Sequence, residues 1–164
     1  MSFACPIYMP GGTFFFTVRL QDPSSDLLIR HIDLLRLSVR LCQQQHPFTI
    51  QDAVILPDRM HMIWALPPGD TDYAARWRTI KTTFARHLPS GLTGKSKSGG
   101  MGLWQRRYWE HPIQNAQDLA ECTTLIAEAP VLAGLVGQPA EWPYSTSART
   151  ARATSRTQAR RQNH

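Results

Sequence analysis

Between residues 13 and 66 the spacing of apolar residues changes twice, and that change limits the folds open to the chain. Thr13–Leu20, a Phe-, Thr- and Val-rich run after the turn signal Pro10-Gly11-Gly12, reads as a strand. From Asp26 to Gln45, Leu28, Ile32, Leu35, Val39 and Cys42 recur at steps of 4, 3, 4 and 3. Those steps place them on one face of a helix. His46-Pro47 ends it, and two further strand-like runs follow, Phe48–Leu56 and Arg59–Leu66, joined by the tight turn Pro57-Asp58.

A second cycle repeats the pattern. After Pro67-Pro68-Gly69-Asp70, Thr71–Leu88 reads as a helix with Ala75, Ile80, Phe84 and Leu88 facing a core. Pro89–Gly102 is a Gly/Ser/Lys loop, Leu103–Ile113 is extended, and Asn115–Ala129 reads as a third helix. The order strand–helix–strand–strand–helix–strand predicts an α+β fold, a ferredoxin-like split βαβ sandwich. Its antiparallel sheet carries helices on one face, and one further helix is appended at the C-terminal end.

The length of 164 residues suits one domain, expected over 1–144. Residues 145–164, STSARTARATSRTQARRQNH, are nearly devoid of apolar side chains and are expected to form a disordered basic tail. No apolar run approaches a membrane span, and the first residues lack the pattern of a secretory leader. Cys5, Cys42 and Cys122 match no metal-binding or disulfide spacing. Cys42 and Cys122, in apolar-periodic stretches, read as core thiols of a reducing compartment, so the protein is expected in the cytoplasm.

Charge is segregated. Tyr73–Trp109 holds eight basic residues, Arg76, Arg78, Lys81, Arg86, Lys95, Lys97, Arg106 and Arg107, and no acid. The tail holds five arginines and no acid, so all 12 acidic residues lie elsewhere. A positive field confined to part of the chain is the footprint of a polyanion partner. Trp104, Tyr108 and Trp109 interleave with Arg106 and Arg107, a pattern that suits stacked bases and phosphates, with Trp104 assigned to the core. Arg59 and His61 share one face of their strand, with Met60 and Met62 on the other. A lone strand histidine reads more often as structural than as a ligand.

Taken in order, several segments resemble the REP-associated tyrosine transposases, a branch of the single-tyrosine HUH superfamily. They are 10–18 (PGGTFFFTV), 54–62 (VILPDRMHM), 66–70 (LPPGD), 76–81 (RWRTIK), 103–111 (LWQRRYWEH), 133–136 (AGLV) and 142–145 (WPYS). The resemblance implies the fold already derived and activity on single-stranded DNA folded into hairpins, by a monomer or weak homodimer. It also implies a divalent metal, Mg²⁺ or Mn²⁺, held by an HxH pair, and a nucleophilic tyrosine on the late helix that joins to a DNA 5′ end.

Two departures fall on the catalytic positions. The first histidine of the HxH pair is Arg59, which has no lone pair for a metal, and His61 alone remains as a relic ligand. The nucleophilic tyrosine is matched by Leu125, in 125–130 (LIAEAP). The chain is therefore expected to bind single-stranded or hairpin DNA without cutting it. Contacts are expected from Arg59 as a phosphate clamp and from Arg76, Arg78, Lys81, Arg86, Lys95, Lys97, Arg106, Arg107 and Tyr108. Two alternatives stay open: an active metal-dependent nicking and strand-transfer enzyme using a displaced tyrosine, and a decaying gene product with no selected function.

Overall fold

The computed structural model describes residues 12–93 and 102–146. Four strands form one antiparallel sheet: β1 (Thr13–Arg19), β2 (Thr49–Ile55), β3 (Arg59–Ala65) and β4 (Trp109–Pro112), in the order β2-β3-β1-β4. Around them lie α1 (Leu27–Arg30), α2 (Ile32–Gln45), α3 (Tyr73–His87) and α4 (Ala116–Leu132). With α1 and α2 read as one interrupted helix, the order and topology are those of the split βαβ sandwich with an appended helix.

The sheet is covered on both sides. On one, Phe14, Phe16, Val18, Met60, Met62 and Trp64 meet Leu35, Val39 and Cys42 of α2 and Trp77, Ile80 and Phe84 of α3. At its centre the Trp64 and Trp77 rings stack with centroids 4.3 Å apart. On the other side, Phe15, Val54 and Ile63 meet Leu119, Cys122, Ile126 and Ala129 of α4. Burial of both faces explains why β1 reads as a nearly continuous apolar run instead of an alternating one.

The helical boundaries depart from the periodicity in three places. His31 (φ −115°, ψ 40°) interrupts the predicted 26–45 helix. The short α1 is tied instead to the hairpin turn, where the Leu28 N–H donates to Pro57 O at 3.3 Å. Helix α3 starts at Tyr73 because Asp72 caps it, its carboxylate accepting the Ala75 N–H at 3.1 Å. Helix α4 runs past Pro130 to Leu132. Pro130 has no N–H to donate to the Ile126 carbonyl, and the helix ends two residues later, where Gly134 (φ 73°) closes the turn through Leu135 N–H to Pro130 O at 3.0 Å.

The packed chain also extends beyond 144. Ser145 bridges Val54, and the Thr146 hydroxyl donates to the buried Asp52 carboxylate. These two residues, expected in the tail, complete the polar edge of β2. The remaining tail residues, 147–164, lie outside the described residues, as do Lys95 and Lys97. Among the described residues no helix is long and apolar enough to cross a membrane.

Candidate nucleic-acid interface

On the α4 side of the sheet, helix and strands diverge into an open cleft of about 650 Å³. Its floor is Phe15, Thr17 and Arg19 of β1 with His61 of β3. Strand alternation puts Arg59 on the same face of β3 as His61, at the border of the cleft and close enough for its charge to act on that ring. The β1–β3 register sets Thr17 opposite His61 and Arg19 opposite Arg59. Leu125 of α4 forms one wall, and Gln105, Arg107, Tyr108 and Trp109 form the other.

His61 is buried, with 8% of its surface exposed. Its Nδ1 shares a 2.7 Å hydrogen bond with the Thr17 hydroxyl, and its ring stacks on Phe15. Burial first, then the Arg59 and Arg19 charges, push its pKa down to about 4. The ring is thus neutral at neutral pH. Between pH 6.5 and about 4 the unfolded chain protonates His61 while the folded chain does not. Stability contributed by the neutral ring is therefore present above this window and lost as pH falls through it, by up to about 3 kcal/mol. His61→Gln is expected to flatten that part of the pH profile while keeping a hydrogen-bonding group for Thr17. Urea denaturation of both proteins at neutral and mildly acidic pH measures the difference, and parallel profiles would contradict it.

The residues at the implied metal position do not fit a divalent cation. Arg59 brings a positive charge and no lone pair, Arg19 brings a second charge, and one His61 nitrogen is already engaged by Thr17. Leu125, half-exposed on α4, lines the same cleft as His61. Tyr108 also lines it, but its ring packs beside the α3 core, with Lys81 Nζ 5.1 Å from the ring centroid. Burial and Glu110 raise the Tyr108 pKa, further from the phenolate a nucleophile needs.

A separate trio lies beside the start of α4. The ligand atoms of His111, Asp118 and Cys122 fall within 4.8 Å of one another. Asp118 has structural partners there: it accepts the Gln114 N–H at 2.9 Å and meets His111 Nε2 at 2.8 Å. Its own N–H donates to the Asn115 cap. The trio is accounted for as a reinforced helix start.

The structure divides the sequence-predicted contacts. Arg76 is withdrawn from any ligand: only 3% exposed, it forms a two-pronged pair with Asp70 and donates to the carbonyls of His46, Pro47 and Asp72. Burial forces that outcome, since a desolvated guanidinium must satisfy its donors within the protein. Lys81 is half-buried and donates to Gln105 O at 3.1 Å, so it braces the 105–108 segment. Arg78 and Arg86 are exposed on α3, and Arg106 and Arg107 are exposed beside β4. Trp104 is in the core, as read from the sequence.

Arg19, Thr17 and Gln105 were not among the candidates, and Trp109 was read only as part of the aromatic–arginine pattern. Alternation along β1 already placed Thr17 and Arg19 on one face, but the pairing partners of that face lie at least 40 residues away in sequence. Trp109 is 64% exposed at the cleft wall, an unusual cost for a large ring on a folded surface.

No protein-family model matches the chain. A REP-associated tyrosine transposase of Escherichia coli K12 is 40% identical over 139 residues, 85% of this chain and 78% of that protein. A Haemophilus influenzae relative is 36% identical over 150 residues, 89% of this chain and 85% of its own length. A solved structure of a REP-associated tyrosine transposase bound to a REP hairpin is similar at TM-score 0.76 and 39% identity. That match covers 93% of this chain and 87% of the other. With this identity over most of its length, and the matching sheet order and appended helix, the chain belongs to the REP-associated tyrosine transposases.

Proposed function

We propose that the protein binds single-stranded or hairpin DNA and does not cleave it. The observation that carries this reading is the wall of the cleft at Leu125. Where the family resemblance implies a tyrosine nucleophile, a leucine side chain faces the cleft that also holds His61. Leucine offers no atom that can attack a phosphodiester.

Binding is supported by exposed cations on α3 and beside β4 and by an exposed ring in the cleft. Exposed Arg78, Arg106 and Arg107 lie on α3 and beside β4, where Arg78 is near enough for its charge to act on Tyr108. Trp109 stands exposed on the wall opposite Leu125, a platform for an unpaired base. The relative of known structure is bound to a REP hairpin, and a hairpin with a single-stranded flank is the corresponding ligand here.

The alternative, cleavage by a displaced tyrosine, has one candidate inside the cleft among the described residues, Tyr108. Labelled hairpin DNA incubated with the protein and Mg²⁺ or Mn²⁺ separates the readings. The expected result is a shifted species on a native gel, with intact, unattached DNA on a denaturing gel. A labelled protein adduct or a shortened strand would overturn the inactive reading, and loss of that product in Tyr108→Phe would identify the nucleophile. Absence of any shift would overturn the binding reading itself.

A further inference from the structure

We infer that Arg19 and Arg59 together form a metal-independent seat for one backbone phosphate, at the position where the family resemblance implies a divalent cation. This rests on the DNA-binding reading above and specifies how the cleft holds its ligand.

The register sets the two arginines directly opposite each other at the end of the β1–β3 pair. Like charges at such a position repel, and strands ordinarily avoid them unless something of opposite sign lies between. Among the described residues Arg19 forms no ion pair. Arg59 has only Asp58, at 3.9 Å, beyond hydrogen-bond length. The Arg59 Nε is buried and meets no acceptor. Arg107 lines the same cleft, also without a carboxylate partner among the described residues.

An anion neutralises the facing charges, and it reaches Arg59 through the exposed part of the side chain, 29% of its surface, while the buried Nε stays inside the protein. A phosphodiester has two charged oxygens, and guanidinium groups match that geometry with paired N–H donors. A metal bound by a protein and the same phosphate bound by two arginines neutralise comparable charge, but only the second survives a chelator. Arginine cannot supply the coordinated geometry of a metal, so the seat holds its phosphate without activating it.

The test is binding of a labelled DNA hairpin with a single-stranded flank, titrated in EDTA and in Mg²⁺ across several salt concentrations. The expected result is undiminished affinity in EDTA. Arg59→Gln and Arg19→Gln are each expected to weaken binding about tenfold or more, and each to lower the salt slope by roughly one. Thermal unfolding without DNA keeps folding apart from binding. With the repulsion removed, each variant is expected to melt no lower than the parent protein. Loss of binding in EDTA, or both variants binding like the parent with an unchanged slope, would overturn the phosphate seat while leaving the DNA-binding reading intact. A variant that melts well below the parent would mark its arginine as structural and likewise overturn the seat. No binding by the parent protein in either buffer would fail the earlier reading and the seat with it.

Discussion

Arg76→Ala is expected to destabilise the fold by about 3 kcal/mol. The side chain ties three segments together: the end of α2 through the His46 and Pro47 carbonyls, the 67–72 turn through Asp70, and the start of α3 through Asp72 O. Truncation leaves those carbonyls without their donor and Asp70 without its partner. Asp70 keeps about a third of its side-chain surface exposed, so water recovers part of the loss. That places the effect near the lower end of what breaking a buried ion pair costs.

The Asp70 carboxyl gives an independent readout. Its hydrogen bonds from Arg76, aided by the Asp72 N–H, hold its pKa down to about 2. In Arg76→Ala that pKa rises towards the usual carboxylate range, observable by NMR titration. In the parent protein the stability linked to Asp70 is present above pH 3.8 and lost as pH falls through about 2, well below the His61 window. Arg78→Ala is the control. Arg78 is exposed, so its removal is expected to change stability by less than about 0.5 kcal/mol while weakening DNA binding. Equal stability losses in the two variants would contradict the assignment.

Trp64→Ala is expected to cost more, about 3–5 kcal/mol. The ring is fully buried at the centre of β3, between Trp77 at 4.3 Å, Phe48 at 4.2 Å and Phe16 at 4.9 Å between centroids. Three aromatic walls from α3, the β2 approach and β1 cannot all collapse into the space left behind, so much of the cavity persists. Trp109→Ala removes the same side chain from an exposed position on β4 and is expected to leave stability nearly unchanged. Its effect falls on single-stranded DNA binding instead, by roughly 1–3 kcal/mol for one stacked base. Chemical denaturation and a binding titration of the two variants measure both quantities. A Trp109→Ala loss comparable to that of Trp64→Ala would place Trp109 in the core.

Much of the architecture was legible because it is written in local spacing. The 3-4-3 steps over 32–42 serve a helix with one buried face, and the pattern misled only in carrying Leu28 across the break at His31. The Pro57-Asp58 turn between two apolar runs could only join adjacent antiparallel strands. Those features suffice for the element order, and the element order leaves few sheet topologies open. The substitutions at Arg59 and Leu125 are equally plain in the sequence, because the chemistry a side chain lacks does not depend on its surroundings.

What the sequence could not give was which charges meet. RWRTIK reads as a cluster of like cations, yet Arg76 points into the protein and Arg78 out of it, since residues two apart on a helix lie about 200° apart around its axis and only one direction holds Asp70. Where α4 would pack was likewise undetermined, for its apolar stripe fits either face of a sheet. Tertiary structure set it on the open face, carrying Leu125 to the cleft that holds His61. Arg19 went unremarked because a strand residue gains its meaning from a partner 40 positions away. The sequence by itself therefore determined the elements, their order and the chemistry missing from the family positions, all of which follow from local geometry and the identity of single side chains. Only the tertiary structure decided which arginines are bound up in the fold and which face the cleft, because that depends on register and on burial, and both arise only when distant segments pack together.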